Sequence, residues 1–146
     1  MILPYILAAV REAVAVTKLH PILVNFTAAL VPTSVACDAI ARWRRHDQLR
    51  ATAWWTLLLA AWITPLTAAT GWLFWMDDDD GVLGMTIHRW LGTAIAMALV
   101  GLCLWRRRIR RSEQWAGIAY LAVAIAFVAA VAVQGTLGGR QVFSGM

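Results

Sequence analysis

The stretch PILVNFTAALVPTSVACDAIA, residues 21–41, decides the fold. Its apolar positions run on instead of alternating, its one charge, Asp38, lies near its end, and its length is the roughly 20 residues that a helix needs to cross a bilayer. Three more runs of that kind follow, over about 51–76, 86–105 and 115–137. The composition agrees. Of 146 residues, 61% are hydrophobic and 14% charged, where soluble chains carry about 25% charged residues. So short and apolar a chain cannot hide its surface in one water-soluble core. A soluble enzyme and a disordered chain are both excluded, and continuous runs are not the alternating strands of a β-barrel.

The expected fold is therefore all-α and integral to the membrane: a four-helix up-down bundle over residues 20–146, preceded by an amphipathic helix over residues 1–19. The connections RWRRHDQLR, MDDDDGVLGMT and RRRIRRSEQ are short, so sequential helices pack antiparallel. The N-terminal stretch is apolar from Ile2 to Val10 and then broken by Arg11 and Glu12, too short to span. Its charge follows the apolar part, the reverse of a signal peptide. Arg11 and Lys18, seven residues apart, share a helical face, which suits a helix lying in the outer interface.

The net charge of +5 reports topology, so nucleic acid is not a partner. Arg42, Arg44, Arg45, Arg50, Arg106, Arg107, Arg108, Arg110 and Arg111 fall in the first and third connections. That side should be cytoplasmic, with both termini periplasmic and the protein multi-pass in a bacterial inner membrane. Trp43, Trp54, Trp55, Trp105 and Trp115 would form the inner aromatic belt and Trp72, Trp75 and Trp90 the outer one, with Trp62 between them. Gly135 and Gly139 form a GxxxG, read first as close packing within the monomer and second as a homo-oligomer face. Cys37 and Cys103 lie in apolar runs without a metal-binding spacing and read as small core thiols.

Three histidines bear on function. His46 sits among arginines in a connection and reads as solvated. His20 opens the first span and His88 opens the third. Both spans run from outside to inside, which puts the imidazoles at matched depth on different helices, the arrangement that holds a bis-histidine haem b. Interfacial histidines bonded to headgroups or water are the plain alternative. Lys18, Arg89 and Arg140 are outer-side cations able to pair with propionates. Asn25 follows His20 closely enough to add a polar contact, Gly84 and Gly92 leave room for a planar ligand, and Met76 or Met85 would allow a His/Met pair. Thr64, Thr67, Thr70, Gln134 and Thr136 could line one polar pocket, or simply bond backbone carbonyls near Pro65. Asp38 stands i,i+4 from Arg42 and reads as a local ion pair. Asp77 to Asp80 read as a solvated acidic loop or as a docking patch for a basic partner such as a periplasmic cytochrome c. No hydrolytic triad or nucleotide motif is present, which disfavours a stand-alone enzyme.

LHPILVNFTAALVPTSVACD, with His20, Pro21, Phe26, Pro32 and Asp38, resembles the first span of a bacterial membrane family catalogued as domain of unknown function twenty-two thirty-one. TAATGW in the second span, His88 and GTLGGRQVF at the chain's end extend the resemblance over about 19–145. Members often carry a histidine where this chain has Ser144 and an acidic residue where it has Phe74. The resemblance implies four spans and a redox neighbourhood, with a distant likeness to small four-helix b-type cytochromes. The leading expectation is a cytochrome b-type electron-transfer subunit: His20 and His88 ligate haem near the periplasmic face, and the subunit links a periplasmic cytochrome c or dehydrogenase with quinone or a larger complex. The alternative is a cofactor-free subunit that anchors a membrane complex.

Overall fold

The computed structural model describes residues 2–74 and 83–143 as five helices: α1 (Leu3–Val16), α2 (Leu19–Arg44), α3 (Asp47–Phe74), α4 (Leu83–Arg111) and α5 (Ile118–Phe143). No strand occurs among the described residues. The last four are the expected spans, each long and apolar enough to cross a bilayer. Large apolar side chains such as Trp62, Leu66, Met97, Ile118 and Ile125 point outward, as a bundle solvated by lipid requires.

The short connections force an up-down order. α2 packs on α3, α3 on α4, α4 on α5, and α5 closes back onto α2. α2 and α4 are thus diagonal and parallel, as are α3 and α5. Non-glycine residues in the left-handed region make three corners: Lys18 (φ 50°) between α1 and α2, Arg45 (φ 54°) after α2, and Glu113 (φ 57°) after α4. Each such residue carries a steric cost of about 1–2 kcal/mol. At Arg45 the reward is a C-cap in which its N–H bonds the Ala41 carbonyl.

α1 carries Pro4 in its first turn, where the missing N–H costs nothing. It packs on α2 and α3 through buried Val14 and leaves Ile2, Leu3, Tyr5, Ile6 and Leu7 exposed. α2 and α3 continue through Pro32 and Pro65 without ending.

The helices overrun the sequence-based boundaries at the arginine end. α2 extends to Arg44 and α4 to Arg111, so Arg42, Arg44 and Arg106 to Arg111 are helical, not connecting loop. Mid-bundle, Val31, Leu57, Ala60, Leu99 and Ala124 form a buried apolar core. Gly135 and Gly139 are not close-packing positions within the monomer: a Cβ at either would meet nothing within 4 Å. The close approach is at Gly138.

Candidate functional site

At the histidine end, all four bundle helices contribute to one polar layer. His20 sits in the first turn of α2, half-buried. Its Nδ1–H donates to the Thr67 carbonyl at 3.0 Å, with the Thr70 hydroxyl 3.3 Å from the same nitrogen. Thr64, Thr67 and Thr70 recur every three residues and so share the face of α3 that meets α2. Deeper in, Thr27 and Thr64 share a hydrogen bond of 3.2 Å. The hydroxyls also bond carbonyls of their own helix, Thr64 to Ala60, Thr67 to Ile63 and Thr70 to Thr67, while Thr136 is exposed on α5 and bonds the Val133 carbonyl.

His88 enters from α4, diagonally opposite, also half-buried. Gln134 of α5 donates from Nε2 to the His88 carbonyl at 2.8 Å and reaches His88 Nε2 at 3.4 Å.

Glycines make room for both rings. A Cβ at Gly71 would lie 2.9 Å from His20 Cε1, and one at Gly138 would lie 2.7 Å from His88 Cε1. Gly92 accommodates Gln134 in the same way, at 2.8 Å from Nε2. That space is therefore filled by a side chain of the protein itself. Beside the layer, Trp72 donates from Nε1 to Thr93 at 3.0 Å, takes Arg89 over its ring at 5.5 Å, and meets Trp90 edge-on.

The remaining site expectations divide. Arg89 is half-buried at the layer's edge, on Trp72. Lys18 is exposed in the turn before α2. Asn25 is exposed on the outward surface of α2 and does not join His20; five residues turn a helix about 140° past a full turn. Arg140 falls in α5, but its side chain, like that of Met85, lies outside the described residues, as do Met76 and Asp77 to Asp80. Among the described residues no three His, Cys, Asp or Glu side chains gather to hold a metal ion.

The arginine end holds what the sequence reading missed. Asp38 does not pair with Arg42. It accepts two bonds from Arg106 of α4, at 2.7 Å from Nε and 2.6 Å from Nη2, and both side chains are buried, 1% and 0% exposed. Arg42 turns instead to the Ala116 carbonyl at 3.0 Å. Tyr120 of α5 lies against the pair, its ring 6.0 Å from Arg106 Cζ. A charge inside the membrane demands a partner, and Asp38 finds it across the bundle in Arg106, so the expectation of a local pair with Arg42 is overturned. The signal lay in Arg106 being the first of the arginine run, where α4 has not yet left the apolar core.

Four apolar spans enclosing a polar layer define a multi-pass helical membrane protein. The chain belongs to the family described as predicted membrane protein DUF2231, whose model matches residues 17–145. No curated protein and no solved structure matches it.

Proposed function

We propose that the protein is a b-type electron-transfer subunit of a bacterial inner membrane, in which His20 and His88 hold haem between α2 and α4. The observation that carries this reading is the pair itself: two half-buried imidazoles from diagonal helices, each seated against a glycine. Bundle cofactor sites are built in this way, from side chains on facing helices.

The residues fit the group. His20 gives its Nδ1 proton to a backbone carbonyl, which leaves the lone pair on Nε2, the second-shell pattern of a metal-ligating histidine. His88 Nε2 is engaged only at 3.4 Å by Gln134, while His88 Nδ1 and Gln134 Oε1 are buried without a hydrogen-bond partner. Buried polar atoms are rarely left so, and that unmet capacity supports a layer that takes a polar ligand. Haem, when bound, supplies a one-electron couple. The chain's part is to orient two imidazoles, exclude water with the core beneath, and supply Arg89 and Lys18 as candidate propionate partners. A periplasmic cytochrome c or dehydrogenase and quinone are the redox partners this reading calls for.

The test is the purified protein's visible spectrum, oxidised and dithionite-reduced, beside His20→Ala and His88→Ala. The reading expects a six-coordinate b-type signal that either substitution abolishes while the protein still inserts. Pigment retained in both variants removes the ligand assignment.

A further inference from the structure

Eighteen residues separate His20 from Asp38 in α2, and eighteen separate His88 from Arg106 in α4. Eighteen residues make five helical turns, about 27 Å of rise. Each histidine therefore stands on the same face of its helix as one member of the buried ion pair. α2 and α4 are diagonal and, among the described residues, have no packed interface of their own. α3 and α5 each pack on both, and side chains that reach across the bundle axis couple α2 to α4 directly.

We propose that Asp38 and Arg106 are positioning residues, a clamp that fixes the register of α2 against α4 and so sets His20 against His88 five turns away. The inference deepens the reading of the histidines as a ligand pair and rests on it for its function.

A forked guanidinium on a carboxylate constrains both distance and direction, because two parallel bonds must form together. A slip of one residue on either helix moves its face by about 1.5 Å and 100°. That slip breaks both bonds and swings the histidine out of the layer. Between the two pairs, the polar contacts of α2 go to α3 and not to α4: Thr27 bonds Thr64, and Ser34 the Ala53 carbonyl. Val31, Leu57, Leu99 and Ala124 are apolar and buried, and apolar cores tolerate repacking that a polar pair does not. Setting register is the best-attested use of a buried polar group.

The test is cross-linking in native membranes. In a Cys37→Ala/Cys103→Ala background, His20→Cys and His88→Cys are joined by a short bifunctional thiol reagent. With the clamp intact, cross-linking is expected to be fast. Asp38→Asn is expected to slow it at least tenfold, and Arg106→Lys, which keeps the charge but loses the fork, to slow it less. Exchange of the pair, Asp38→Arg with Arg106→Asp, is expected to restore it. Ser34→Ala removes a buried 2.8 Å bond to the Ala53 carbonyl, between α2 and α3, and is expected to leave the rate unchanged. In the histidine-intact protein, Arg106→Lys is expected to shift the haem midpoint potential. Unchanged cross-linking in Arg106→Lys, a variant that keeps the buried charge and so inserts, overturns the clamp. Cross-linking that responds as described, while the histidine-intact protein stays colourless after haem supplementation, upholds the clamp and overturns the haem reading instead.

Discussion

The imidazole of His88 rests on Gly138: a Cβ there would lie 2.7 Å from Cε1. Real side-chain contacts are not that short, so Gly138→Ala must displace the ring or part α4 from α5. Overpacking of this kind costs about 1–3 kcal/mol. Thermal unfolding in detergent should show that loss, together with a weakened haem signal. Gly135→Ala and Gly139→Ala, which meet open space, should leave both unchanged.

Removing one member of the buried pair leaves the other charged and unpartnered. Asp38→Ala should destabilise the protein by about 3–5 kcal/mol. The double substitution Asp38→Leu/Arg106→Met should recover most of that, because the penalty belongs to the orphaned charge and not to the missing bond. Denaturant titration in detergent measures both.

The sequence carried the bundle plainly, and the reasons are physical. Continuous apolar runs of bilayer length have one solution, and short connections order them. His20 and His88 were legible because each opens a span running in the same direction. The Asp38–Arg106 pair was hidden by a nearer candidate, Arg42, at helical spacing. It was hidden too by the arginine run, which marked Arg106 as loop while α4 continues to Arg111. The equal eighteen-residue offsets were present in the sequence, but they mean something only once α2 and α4 are known to be diagonal and parallel. Gly92 was legible as a place of close approach, though for a ligand and not for Gln134; the seats of the two rings, Gly71 and Gly138, were not, since GxxxG pointed to Gly135 and Gly139.

Trp72 ties α3 to α4 through its bond to Thr93 and its stacking under Arg89. Trp72→Phe removes the donor and weakens the cation–π contact, at a cost of about 1–2 kcal/mol. The change should appear as a lower unfolding temperature. Where haem is bound, it should also appear as a shifted midpoint potential, since Arg89 borders the histidine layer.

The arginine end should face the cytoplasm. In a background lacking Cys37 and Cys103, Gln48→Cys should react with a membrane-impermeant maleimide only after cells are permeabilised. Lys18→Cys, exposed at the opposite end, should react in intact cells. The reverse pattern would invert the topology and put the histidine layer on the cytoplasmic side.

The most direct measurement is the reduced-minus-oxidised spectrum of the purified protein, with His20→Ala and His88→Ala beside it. The account predicts the α-band of a six-coordinate b haem in the parent and its loss in each variant. A protein that stays colourless after haem supplementation, or one whose pigment survives both substitutions, contradicts it.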